Sequence, residues 1–141
     1  MKKVVIVLAL IILILGGVTL IALNKANNTT KDGINLSTKA KQVTSCFDMN
    51  SLKSRLYLFM LDNGSYPSTE QGIEALLVNP SVTDYPHYPA KAYLRTFPKD
   101  PWDNPFSYTN IDKTVELISY GADGVKGGTA ANKDIYLSKC K

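Results

Sequence analysis

The stretch Leu61-Asp-Asn-Gly-Ser-Tyr-Pro-Ser-Thr-Glu-Gln-Gly-Ile-Glu-Ala-Leu-Leu77 constrains the fold of this chain more than any other, because it writes a helix stop, a rigid corner and a new helix start into one short run. Asn63-Gly64 supplies the left-handed backbone that closes a helix. Tyr66-Pro67 forces an extended path, since the proline ring disfavours helical geometry at the residue before it. Ser68-Thr-Glu-Gln71 has capping-box spacing, hydroxyl first and amide fourth, and predicts a short helix running to Leu77.

Upstream of the corner the pattern is helical. From Ser37 or Thr38 to Asp62, the residues Val43, Cys46, Phe47, Leu52, Leu56, Phe59 and Met60 recur at threes and fours, while Lys39, Lys41, Asn50, Lys53 and Ser54 fall between them. A helix about 35 Å long is expected there. Downstream, residues 79–99 contain Pro80, Pro86, Pro89 and Pro98 and read as an irregular loop wrapped on the core. Its Tyr85, Tyr88, Tyr93 and Phe97 are read as packing residues, because a loop without regular hydrogen bonds is held by the large side chains it buries; a recognition surface is the alternative. Pro98-Lys-Asp-Pro-Trp-Asp-Asn-Pro-Phe106 is a series of fixed turns in which Trp102, the only tryptophan, is expected to plug the edge of the core. Residues 106–108 and 115–120 read as strands joined through 109–113, with 134–137 as a third. The expected class is α+β, one long helix packed on a small antiparallel sheet.

Val4–Leu23 is an uncharged apolar run that, as a helix of about 30 Å, matches a bilayer core. A cleaved signal peptide would need a small-x-small site at its end, and bulky Leu20 stands two places before Ala22, so an uncleaved anchor over residues 1–23 is preferred. Lys2 and Lys3 precede the run while Lys25, Lys31, Lys39 and Lys41 follow it, so charge alone does not set its orientation. Residues 24–36, rich in Asn, Thr and Gly, read as a polar linker to a globular domain over 37–141.

The two cysteines, Cys46 and Cys140, lie beyond the anchor. They are either free thiols or one disulfide tying the tail to the long helix. The disulfide is preferred: a C-terminus that would fray gains from a staple, and closing so long a loop stabilises by about 4–5 kcal/mol in the chain-entropy picture. It would place the domain in an oxidising compartment outside the cytoplasm.

The formal net charge of +4 falls to +2 without Lys2 and Lys3, and only Arg55 and Arg95 are arginines. Scattered lysines make a solvated surface, so no nucleic-acid partner is expected. His87, the single histidine, has no nucleophile and carboxylate in a recognisable arrangement, and neither a phosphate-binding loop nor zinc spacing occurs. An enzyme is therefore not expected. The one chemically suggestive run is Gly121-Ala-Asp-Gly-Val-Lys-Gly-Gly-Thr-Ala-Ala-Asn-Lys-Asp-Ile135, where Asp123, Asn132 and Asp134 can converge and glycines let backbone carbonyls turn inward. It lacks EF-hand spacing, and on pattern alone a plain glycine-rich turn is the more common meaning.

Three segments in order, LDNGSYPSTEQGIEALL (61–77), YLRTFPKDPWDNPFSY (93–108) and SYGADGVKGG with NKDI (119–135), resemble the globular domain of the major pseudopilin family of type II secretion systems. The resemblance implies a pilin-like fold with a long N-terminal helix, a small antiparallel sheet and an irregular αβ-loop. It implies a structural subunit of a periplasmic pseudopilus for protein secretion, anchored in the inner membrane by a single pass through residues 4–23. The implied partners are other pseudopilin subunits, further copies of the chain, and the inner-membrane secretion platform. It also implies calcium at Asp123 and Asp134, with Asn132 where the family usually has aspartate and the Tyr120 backbone carbonyl contributing; Asn132 and Lys133 lower the charge and hence the expected affinity.

The N-terminus departs from the family's pattern. Gly17-Val-Thr-Leu-Ile-Ala22 looks like the family's cleavage sequence with Val18 and Ala22 replacing phenylalanine and glutamate, and the apolar run precedes it. Cleavage after Gly17 would leave only Val18–Leu23, too short to span a bilayer. This motivates a second reading, a non-assembling pilin-fold protein, membrane-tethered or secreted, that serves as a binding module or assembly factor. A DNA-binding, competence-type reading is disfavoured by the scattered lysines.

Overall fold

A computed structural model describes residues 35–141, so the anchor and nearly all of the linker expected from the sequence lie outside the described residues. The first element among the described residues is one long helix, α1 (Leu36–Asn63). It stops where Asn63-Gly64 predicts: Gly64 takes φ 81° and its N–H donates to the Met60 carbonyl at 2.8 Å, closing the last turn. The Asn63 side chain seals the same end, donating to the Phe59 carbonyl and to the Tyr93 hydroxyl, each at 2.9 Å.

α1 turns Thr38, Ser45, Met49, Leu52, Leu56 and Phe59 inward. Val43 and Phe47, which share the sequence's apolar period, instead face solvent at 64% and 73% exposure. The helix carries apolar residues on two opposite sides, and spacing at threes and fours does not say which side meets the core. The C-terminal half decides it, because Leu52, Leu56 and Phe59 fix a register that leads back to Met49 and Ser45.

At the corner the capping box forms: the Gln71 N–H donates to Ser68 Oγ at 3.2 Å and the Ser68 N–H to Gln71 Oε1 at 2.8 Å. The helix expected after it does not develop beyond a 3-10 turn, Ile73–Leu76. Gly72, at φ 62° and ψ −160°, breaks the helical path straight after the cap. The turn nevertheless buries Ile73, Ala75 and Leu76.

Three antiparallel strands follow, β1 (Ser107–Ile111), β2 (Thr114–Ser119) and β3 (Ile135–Tyr136), in the order β1-β2-β3. The β1–β2 connection is shorter than the sequence suggests, because Thr109, Asn110 and Ile111 pair with Glu116, Val115 and Thr114. Only Asp112-Lys113 remains, with φ 51° and 66°. Two positive φ values in succession give the type I′ turn, whose twist matches that of paired strands.

Met49, Leu52, Leu56 and Phe59 pack with Ile73, Leu76, Phe106, Tyr108 and Leu117 to form the core. Phe59 is also the hub for the loop tyrosines, with ring centroids 5.1 Å from Tyr85, 6.0 Å from Tyr88 and 5.4 Å from Tyr93. The buried Tyr108 hydroxyl donates to the Pro67 carbonyl at 2.8 Å and so fastens β1 to the corner. Burial pushes that phenol well above its ordinary range. Trp102 corrects an expectation: it stands half-buried outside the core cluster, with Lys41 Nζ 5.7 Å from its ring centroid. Cys46 of α1 is bonded to Cys140, Cα to Cα 5.5 Å, which brings the chain's tail onto the helix beside buried Leu137.

Candidate functional site

The glycine-rich segment between β2 and β3 is built on a buried polar anchor. Asp100, 5% exposed, accepts the Trp102 N–H at 3.0 Å and the Asn104 N–H at 2.9 Å on Oδ1, and the Ser119 hydroxyl at 2.5 Å on Oδ2. Ser119 Oγ in turn accepts the Gly121 N–H at 3.3 Å, and Asn104 Nδ2 donates to the Gly121 carbonyl at 2.8 Å. The run of turns before β1 therefore holds the carbonyl of the residue that opens the loop directly, through Asn104, and its N–H indirectly, through the Ser119 hydroxyl that Asp100 fixes. Desolvation first, and then the Asp100 charge, raise the carboxyl of Asp48 on α1 above its usual value.

Beyond Tyr120 the backbone makes a 3-10 turn, Gly121–Asp123, ended by Gly124 in the left-handed region at φ 66°. A second 3-10 turn, Ala130–Asn132, folds back against Gly121 so closely that a Cβ there would stand 2.7 Å from the Ala131 carbonyl oxygen. No side chain fits at that position. Gly128 meets the same turn, with the Asn132 carbonyl oxygen 2.6 Å from where a Cβ would be. Gln42 of α1 pins the turn from the helix side, donating from Nε2 to the Ala130 carbonyl at 2.9 Å.

The residues proposed from sequence as ligands occupy this loop in different ways. Asp134 accepts the Gly127 N–H at 2.9 Å on Oδ1 and 3.0 Å on Oδ2, and Oδ2 also accepts the Tyr136 hydroxyl at 3.2 Å. That last bond is the main reason the Tyr136 phenol is raised. Asp123 is exposed, and its Oδ1 accepts the Val125 N–H at 3.2 Å. Asn132 is half-buried and packed against Gly121 and Gly128; Tyr120 stands directly before the first 3-10 turn. Among the described residues no three His, Cys, Asp or Glu side chains gather into a metal-binding group. The donors present are two carboxylates, one amide and backbone carbonyls, an all-oxygen set whose chemistry suits a hard cation.

The structure adds partners that the motif did not contain. Asp100 was legible in principle, because an Asp before a proline followed by Trp-Asp-Asn is a side-chain-to-backbone turn signal. Gln42 carried no signal, being one polar residue on a helix far away in sequence. His87 is exposed and outside this loop.

Residues 33–138 match the family model described as "Type II secretion system (T2SS), protein G". The chain is 38% identical over 99 residues to type II secretion system core protein G of Vibrio cholerae, covering 69% of this chain and 68% of that protein. It is 37% identical over 100 residues to the protein of the same name in Pseudomonas aeruginosa, covering 69% and 70%. Among solved structures it is similar to the major pseudopilin from the type 2 secretion system of enterohaemorrhagic Escherichia coli, with TM-score 0.60 and 35% identity over 70% of this chain and 86% of that one.

Proposed function

The chain belongs to the type II secretion system protein G family, and from that membership we propose that it is a structural subunit of a pseudopilus for protein secretion, not an enzyme. The observation that carries the reading is the agreement of fold and sequence together: α1 packed on a three-stranded sheet around Phe59, matched to a solved major pseudopilin at 35% identity. Its partners are other pseudopilin subunits and the inner-membrane secretion platform, and its globular domain works in the periplasm, tethered through residues 4–23. The Cys46–Cys140 bond supports an oxidising compartment. No helix among the described residues is long and apolar enough to cross a membrane. Deleting the gene in its own host should strand secreted proteins in the periplasm, and expressing the full chain should release them. Unimpaired secretion after deletion would overturn the reading.

We further propose that the β2–β3 loop holds calcium through the Asp123 and Asp134 carboxylates, the Asn132 amide oxygen and the Tyr120 carbonyl. What supports this is the all-oxygen donor set and the crowding of backbone onto Gly121 and Gly128. The ion would supply positive charge where two carboxylates share one loop. Asp134 already orders the Gly127 backbone, and Gln42 holds the neighbouring turn to α1.

A further inference from the structure

We propose that the pocket between α1 and the strip of chain over residues 91–95 binds a phosphate monoester. The chain has fourteen lysines but only two arginines, and both arginines line this one pocket. Arg55 comes from α1 and Arg95 from the strip, with Lys91 as a third cation and Ala92, Tyr93 and Leu94 completing the wall. The lysines are scattered; the guanidinium groups are not. Arginine differs from lysine in presenting a planar fork of donors that grips two oxygens of one anion, so two forks on one pocket point to an oxyanion.

The strip is anchored at its centre. The Tyr93 ring lies 5.4 Å from that of Phe59, its hydroxyl donates to Asp62 Oδ2 and accepts from Asn63 Nδ2, each at 2.9 Å, and the Leu94 N–H donates to the Leu76 carbonyl at 2.9 Å. Lys91 and Arg95 are thus carried on fixed backbone, and Arg55 on a helix. No acidic side chain lines the pocket. Asp62 is engaged by Tyr93, and Asp48 lines a separate pocket with Lys99 and the other side of Arg55. Among the described residues the one ion pair is Lys99–Asp103, and neither guanidinium nor the Lys91 ammonium has a hydrogen-bond partner. Three unneutralised cations on one pocket repel one another. A phosphate monoester, with a charge of about −2 and three free oxygens, relieves that repulsion, whereas a carboxylate brings one charge and two oxygens. The volume of about 510 Å³ leaves room for the group that bears the phosphate.

The test is calorimetric titration of the full chain in zwitterionic nanodiscs, with empty nanodiscs as the blank, using glycerol 3-phosphate and acetate. Glycerol 3-phosphate should bind at least about tenfold more tightly than acetate. Arg55→Ala with Arg95→Ala should weaken it at least about tenfold, and Arg55→Lys with Arg95→Lys, which keeps the charge and removes the forks, at least about threefold. Melting temperatures should not change, because both side chains are exposed and have no bond to lose. Lys39→Ala with Lys141→Ala removes the same charge elsewhere and should leave binding within about twofold. Nanodiscs containing phosphatidic acid, against phosphatidylglycerol as the control for surface charge, identify the source of the phosphate: weaker glycerol 3-phosphate binding with phosphatidic acid alone assigns the pocket to a lipid headgroup, and equal binding to a soluble ester. No preference over acetate, undiminished binding by both arginine variants, or an equal loss in the lysine variant would each overturn the proposal. So would self-association of the chain that the arginine-to-alanine variant abolishes, since it would give the pocket to a carboxylate of a second copy.

Discussion

Ser119 donates its hydroxyl proton to Asp100 at 2.5 Å, and both residues are buried. This single contact joins the end of β2 to the proline-rich turns before β1, at the point from which the glycine-rich loop departs. Asp100→Ala would leave the Ser119 hydroxyl and the Trp102 and Asn104 amides without their acceptor. The expected loss is about 2–4 kcal/mol, read by urea denaturation. A loss below about 1 kcal/mol would mean that the network is not structural.

The Cys46–Cys140 bond should leave no titratable thiol in denatured, unreduced protein. Cys140→Ser should cost about 2–5 kcal/mol, because the unfolded chain regains the freedom of a long loop. Two free thiols in protein taken from the periplasm would contradict the structure.

Tyr93 makes stability fall in alkali. Burial first, and then its hydrogen bond to Asp62, push its phenol up from 10.0 to about 12. The folded state therefore favours the protonated ring, so this contribution is complete below pH 10.0 and is lost as pH rises towards about 12. At neutral pH, Tyr93→Phe should cost about 1–2 kcal/mol through the lost bonds to Asp62 and Asn63. Paired urea titrations should show the two proteins converging across that alkaline window. A constant difference would be the contrary result.

Calcium at millimolar concentration should raise the melting temperature by about 5 °C over protein in chelator, as expected for a ligand that binds only the folded state. Asp123→Ala should abolish the rise with little effect on the apo protein, because this exposed side chain touches only the nearby Val125 N–H. An equal melting temperature with and without calcium would exclude a folded-state site.

Much of the fold was legible because the decisive signals are local. The Asn63-Gly64 stop, the Ser68–Gln71 cap and the strands around Tyr108 and Leu117 depend on neighbours within a few residues. What was not legible depends on distant partners or on a single φ. Gly72 cut the second helix to one 3-10 turn, and the choice between the two apolar sides of α1 needed the packing of Leu52, Leu56 and Phe59. At the loop, Asp123, Asn132 and Asp134 were readable as oxygen donors, while the grip of Gln42 and Asn104 emerged only from the folded chain.

Subunit assembly is the central claim, and disulfide crosslinking in cells that build a pseudopilus tests it most directly. Cysteines are introduced in pairs over exposed positions such as Val82 and Ile111, 77% and 66% exposed, and oxidised before lysis. The predicted result is a ladder of covalent multiples of this chain that depends on both cysteines of a pair. Monomer alone at every pair, in cells whose pseudopilus is intact, would contradict assembly and favour a pilin-fold protein that does not polymerise.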